Sequence, residues 1–196
     1  MIVGQSRRAW SRQIAMLGVL AAASCAPIDP PASQPTRPTV VGQPAPSEQR
    51  DVRPFLTFPC NLLPPAVVDD FSLREIRPAP PDPASPGDVA HCKVQIARVD
   101  PAAAEDDVTI APYERDVVAE EEARRTGLTA APPVVGLPAG VRSSGDDCSV
   151  YVRTAPDQGL LVDLVRYDPA PPEAGSPCDV VLRIAGSLLA FVPRSG

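Results

Sequence analysis

Histidine, tryptophan, lysine and asparagine each occur once in this chain of 196 residues, as His91, Trp10, Lys93 and Asn61, and aromatic residues make up only 4% of it. One imidazole cannot build a multi-histidine metal site. It could serve a nucleophilic dyad, but no Gly-x-Ser-x-Gly elbow accompanies it. No Cys-x-x-Cys spacing is present to hold zinc, and no Gly-rich loop to cradle a phosphate. His91, next to Cys92, therefore reads as a strand-edge residue. Glu105-Asp106-Asp107 reads as a turn and Glu120-Glu121-Glu122 as a solvated helix face, because neither has the alternating oxygen ligands of a calcium loop. Asp146-Asp147 reads as hairpin turn chemistry. The expectation is no catalytic residue, no cofactor and no metal. Two carboxylates that converge only in space would escape such a reading, so a carboxylate-dependent extracellular hydrolase is the alternative. Against it, so few aromatics leave little to grip a sugar.

Basic charge is also scarce: 18 Lys and Arg face 24 Asp and Glu, for a net charge of −6. Arg7, Arg8 and Arg12 lie within the first 24 residues, which contain no acid. Without that segment 15 basic and 24 acidic residues remain, a net charge of −9. No clustered cations are left to displace counterions from nucleic acid or to adhere to anionic lipid. The single lysine and asparagine beside many Ala, Pro, Arg and Val look like the imprint of a GC-rich genome.

Long hydrophobic runs are missing too. The most apolar stretch near the N-terminus, Ile14–Ala23, would rise about 15 Å as a helix, half of a hydrocarbon core of about 30 Å. It stands between the basic residues and a small-residue stretch, the arrangement of a secretory signal over residues 1–24. Leu20-Ala-Ala-Ala-Ser24-Cys25 resembles a bacterial lipobox, which implies a diacylglycerol on Cys25 and cleavage before it. The departure is Ala22, where leucine is usual. The alternative is ordinary cleavage near Ala21–Ala23 and a soluble secreted protein. Ser6-Arg7-Arg8-Ala9-Trp10 also resembles a twin-arginine signal, although disulfides normally form after export, which favours the unfolded-chain route.

Proline is abundant, at 27 residues. Eight of them fall within Ala26–Pro54, spaced by Ala, Ser, Thr and Gln with no helical or strand period, so residues 25–54 read as an extended, solvated, disordered tether. Fully extended, its 29 residues after Cys25 reach at most roughly 90 Å. From Phe55 to Arg194 the composition turns globular. Leu62–Phe71 reads as a short helix with proline in its first turn. His91–Arg98, Val108–Ile110, Val134-Val135, Asp147–Arg153 and Leu160–Tyr167 read as strands, with Cys148, Val150 and Val152 on one face. Glu114–Arg125 reads as a surface helix closed by Gly127, with Glu120 and Glu121 four residues before Arg124 and Arg125. Ser176-Pro177 caps a last helix whose Cys178, Val181, Leu182, Ala185, Leu188 and Leu189 form an apolar stripe.

Five cysteines in an exported chain leave one odd, and the odd one is Cys25, far from the others. The remaining four, Cys60, Cys92, Cys148 and Cys178, allow three connectivities, among which sequence alone does not choose. The favoured pairing is Cys60–Cys92 and Cys148–Cys178, each tying a helix N-terminus to the sheet.

Pro59-Cys60-Asn-Leu-Leu-Pro-Pro-Ala66, Val135-Gly136-Leu-Pro138-Ala139, Cys148-Ser-Val-Tyr-Val152 and the segment Pro177–Pro193 together resemble an actinobacterial lipoprotein family known as domain of unknown function 3558. Members often carry an aromatic after the second cysteine, where this chain has Lys93-Val94. The resemblance covers roughly residues 55–194. It implies an α+β domain, a small antiparallel sheet with helices packed on it, similar to Mog1/PsbP-like folds, and it implies no activity. The expected function is a lipid-anchored, extracytoplasmic, non-enzymatic module at the outer face of the membrane. Its partner would be an envelope protein, a wall component or, given an apolar cavity of at least about 300 Å³, a small ligand.

Overall fold

The computed structural model of this protein describes residues 42–45, 48–84, 87–98, 104–124, 126–167 and 175–195. The leader, Cys25 and the tether as far as residue 41 lie outside the described residues.

Seven strands form one antiparallel sheet in the order β1-β2-β3-β7-β6-β5-β4. They are β1 (Leu73–Ala79), β2 (His91–Ile96), β3 (Asp106–Tyr113), β4 (Thr129–Val134), β5 (Leu137–Ser144), β6 (Asp147–Ala155) and β7 (Gln158–Val165). Three helices accompany them: α1 (Pro65–Asp70), α2 (Val117–Ala123) and α3 (Pro177–Phe191). Two meanders, β1-β2-β3 and β4-β5-β6-β7, meet where β3 pairs with β7, and α2 carries the chain from one meander to the other.

Alternation decides the two faces. Cys92 and Val94, Val108 and Ile110, Cys148, Val150 and Val152, and Leu160, Val162 and Leu164 are all buried on one side. In-register pairs such as Val94↔Val108, Val108↔Leu164 and Cys148↔Leu164 join them across strands. The period-two pattern thus becomes a continuous apolar floor. Helix α3 covers it with Val180, Val181, Ile184, Ala185, Leu188 and Leu189. Its N-cap Ser176 accepts a hydrogen bond from the Asp179 amide at 3.1 Å, and Pro177 fills the first helical position where no amide partner is needed. The stripe read from sequence holds at Val181, Ala185, Leu188 and Leu189, and the structure adds Val180 and Ile184 to it. The first expected helix is shorter than its sequence suggested. A 3-10 turn over Pro59–Leu62 comes first, and the α-helix starts only at Pro65, after Pro64 in extended backbone.

Disulfides join Cys60 to Cys92 and Cys148 to Cys178. The first ties the 3-10 turn to β2 and the second ties the first turn of α3 to β6, in the favoured pairing.

Edge strands are blunted at both ends of the sheet. In β1 the register slips between Arg74 and Arg77, and Pro78 removes an amide. In β4 it slips between Ala131 and Val134, at Pro132-Pro133. Neither edge offers a regular row of free amides to another chain. Proline also sits in β3, a central strand, but Pro112 lies beyond the stretch paired with β2, which ends at Ile110. β4 and β5 turn tightly through Val135 and Gly136, at φ of 46° and 83°. That doubly left-handed turn suits the twist of a hairpin, although valine is strained there.

Three expectations need correction. The tether does not run free to Pro54: Val52 is fully buried in the main core. The Arg50 amide donates to the Thr154 carbonyl at 2.8 Å and the Val52 amide to Gln158 Oε1 at 2.8 Å. Asp106 and Asp107 are not a turn but the first residues of β3. Glu121 is not on a solvated face. It is buried, with Arg124 Nη1 at 2.9 Å, Arg142 Nη1 at 3.1 Å and Thr126 Oγ1 at 2.9 Å from its carboxylate.

Candidate functional site

The second face of the sheet is divided. Over one half, α2 packs Val117 and Val118 on Tyr151, with Tyr113, Leu128 and Leu161 around them. The approach is so close that a Cβ on Gly159 would meet Val117 Cγ2 at 2.4 Å. Asp116 caps α2 by accepting from the Ala119 amide at 3.0 Å, and its other oxygen lies 2.9 Å from Nε of the buried Arg153. Arg153 also donates to the Gly42 carbonyl, so one cation holds both α2 and Gly42, the first described residue.

Among the described residues, the other half of this face carries no helix. Cross-strand pairing lines up Arg77, Lys93, Thr109, Asp163 and Ser149 in one row and Arg74, Gln95, Asp107 and Val165 in the next. Polar and charged side chains here satisfy the outward half of the same alternation that builds the core. Between the rows is a shallow pocket of about 180 Å³, with Arg77, Lys93, Gln95, Asp107, Thr109 and Tyr167 among its lining residues. It is smaller than the roughly 300 Å³ at which small-molecule sites begin.

Inside it, Tyr167 donates its hydroxyl to Asp107 Oδ2 at 2.8 Å, and Gln95 Nε2 donates to Oδ1 at 3.2 Å. The ring of Tyr167 is thereby held over the pocket while remaining 58% exposed. Donation to the carboxylate raises the Tyr167 pKa, because ionising the phenol would break that bond and set two negative charges side by side. Tyr113 and Tyr151 are raised for a different reason, burial. Ser149 donates to Asp163 at 2.6 Å. Asp107 and Asp163 are diagonal neighbours, since Asp107 faces Val165 and Asp163 faces Thr109. Both accept hydrogen bonds from neighbouring side chains.

The residues singled out from sequence scatter over the molecule. His91 opens β2, with Nδ1 at 3.0 Å from the Val89 carbonyl. Asp106 is buried on the core side between Arg98, which bonds one oxygen, and Arg166, whose Nε is 3.3 Å from the other. Asp147 accepts the Arg166 amide at 3.2 Å. The glutamates of α2 face Arg124, Arg142 and Arg153. Of the residues singled out from sequence, Asp107 lines the pocket, and His91, Asp106, Asp147 and the α2 glutamates do not. Among the described residues, no group of three or more His, Cys, Asp or Glu is placed to hold a metal ion, and no helix is long and apolar enough to cross a membrane. Sequence reading missed the open face because no motif marks it. Its residues come from five strands and the segment after β7, and the strand residues meet only through register.

Fold and face together define an α+β domain, stapled by two disulfides, that buries one side of its sheet and leaves half of the other open and polar. The chain belongs to the family described as Protein of unknown function (DUF3558), whose family model matches residues 20–190. No curated protein matches it, and no solved structure does.

Proposed function

We propose that this chain is an exported, lipid-anchored module of the cell envelope, of actinobacterial lipoprotein type, that binds a partner rather than transforming a substrate. The observation that carries the reading is the cysteine account. Cys60, Cys92, Cys148 and Cys178 are consumed in two disulfides, which persist in oxidising compartments. Of the five cysteines only Cys25 is left over, directly behind a basic-then-apolar leader. A thioether to diacylglycerol there supplies the anchorage that an acidic chain cannot obtain from charge. Binding is supported by the open, polar sheet face. A non-enzymatic role is supported by Asp107 and Asp163, whose oxygens accept bonds from Gln95, Tyr167 and Ser149 within the fold.

Membrane fractionation of cells expressing the full chain, with mass spectrometry of the extracted protein, tests the anchor. The native protein is expected in the membrane fraction with a diacylglycerol mass on Cys25, and Cys25→Ala in the soluble fraction. Retention of Cys25→Ala at the membrane, or an unmodified Cys25, would refute it.

A further inference from the structure

We infer that the open half of the sheet face, across β1, β2, β3 and the end of β7, binds an acidic polysaccharide whose sugar rings carry carboxylates. This deepens the binding role proposed above by naming the partner's chemistry. It rests on that role but not on the lipid.

The face is polarised. Arg74, Arg77 and Lys93 stand together at its β1–β2 end, opposite one another in register or one row apart. Arg74 and Lys93 make no ion pair among the described residues, and Arg77 reaches Glu75, which lines the same pocket, only at 3.9 Å, with both side chains more than half exposed. In a chain of net charge −6, three grouped cations without firm partners are matched by an anionic ligand.

The middle of the face calls for hydroxyl groups beside the acid groups of a ligand. Asp107 lies beside the cations, and its carboxylate repels a dense polyanion while accepting hydrogen bonds from hydroxyl groups. Gln95 beside it offers both amide donors and an acceptor, and Thr109 a hydroxyl. Tyr167 completes the set. Its ring is exposed yet anchored through its own hydroxyl to Asp107 at 2.8 Å, so the platform is held in place before a ligand arrives. An amphipathic sugar ring presents an apolar C–H face to such a ring, hydroxyls to the carboxylate and amide, and its acid group to Lys93 and Arg77. The pocket of about 180 Å³ is too small to enclose a sugar chain and suits one lying across it. A polypeptide strand is disfavoured, because register slips and prolines break both sheet edges.

The test is calorimetric titration of the purified full chain with oligogalacturonate of about ten residues, using neutral dextran and polyglutamate as comparators. Binding is expected for oligogalacturonate and to be about tenfold weaker or absent for both others, since each lacks either the acid or the ring. Arg77→Gln/Lys93→Gln and Tyr167→Ala are each expected to weaken it about tenfold, the order of one charge-assisted or one ring contact, with the far-UV circular dichroism of the parent retained. No binding of oligogalacturonate, equal binding of polyglutamate, or variants that bind like the parent would overturn the inference. Membrane fractionation, read separately, would leave the anchor untouched by any of these.

Discussion

At the scale of single residues, the open face is organised by one carboxylate. Asp107 collects the Gln95 amide and the Tyr167 hydroxyl, and so turns an exposed ring into a fixed one. The phenol is held in its neutral form, with a folded-state pKa above the ordinary value. Its bond thus contributes stability that is fully present below the unfolded tyrosine pKa and is lost as pH rises through the folded one. All three tyrosines are raised from the ordinary tyrosine value in the folded protein. In Asp107→Asn the phenol of Tyr167 is expected to move back toward 10, with Tyr113 and Tyr151 unchanged because burial, not Asp107, is the main cause of their shifts. Site-resolved NMR titration between pH 8 and 12, roughly the span over which tyrosines ionise, checks this. A single shared downward move of all three would contradict it. None of this is legible in sequence, since Asp107 and Tyr167 are 60 positions apart. A low aromatic count spoke against a sugar cleft, but a binding face needs one well-placed ring, and counting does not see placement.

At the scale of elements, legibility followed burial. Strands β2, β6 and β7 were readable because their alternating positions are apolar and face the core. Helix α3 was readable because its cap and its stripe agree. Strand β1, Leu-Arg-Glu-Ile-Arg-Pro-Ala, was not expected as a strand, because at a sheet edge only Leu73 is buried and no alternation survives. Strand β5 escaped for a related reason: Leu137, Ala139 and Gly140 are buried, yet Gly and Ala carry little strand signal. Helix α2 is legible in sequence as a surface helix, but the structure buries one of its faces. Its two valines and Glu121 are buried, and its glutamates pair with arginines across the sheet as well as within the helix. The disulfides act at this scale, each fixing the N-terminal end of a helical element to a strand. The Cys148–Cys178 bond closes a loop 30 residues long, worth about 3.5 kcal/mol in the chain-entropy picture. Cys148→Ser/Cys178→Ser is expected to lower urea-unfolding stability by about that amount while leaving the far-UV circular dichroism strand signal intact at low denaturant. A change under about 1 kcal/mol would show that the packing of α3 alone sets the geometry.

At the scale of the whole molecule, the domain starts before its composition turns globular. Residues 48–52 are knitted to the end of β6 and to the C-terminal tail. The Asp51 amide donates to the Pro193 carbonyl at 3.2 Å and the Ser195 amide to the Gln49 carbonyl at 3.0 Å, while Val52 plugs the core. Proline-rich composition concealed this. One buried valine among polar neighbours has no period, and backbone bonds leave no trace in side-chain identity. A chain beginning at Phe55 is therefore expected to be less stable than one beginning at Gly42 by roughly 2–4 kcal/mol, through the lost valine burial and unpaired backbone partners. Urea unfolding of the two chains checks it, and equal midpoints with equal slopes would mean that the strap merely rests on the surface. Arg153 holds the first described residue to the same end of the domain through the Gly42 carbonyl.

The sequence alone was enough for the chemistry that depends on order along the chain. It shows a basic-then-apolar N-terminal stretch with Cys25 behind it, a proline-rich segment, an even set of four cysteines downstream, and an α+β pattern of alternating strands closed by an amphipathic helix. These are local or periodic signals, set by residue type and spacing. Only the tertiary structure decided how the cysteines pair, that Val52 belongs to the core, and that Arg77, Lys93, Gln95, Asp107 and Tyr167 share one open face. Those facts depend on strand order and register, and register emerges from burying one face of the whole sheet at once.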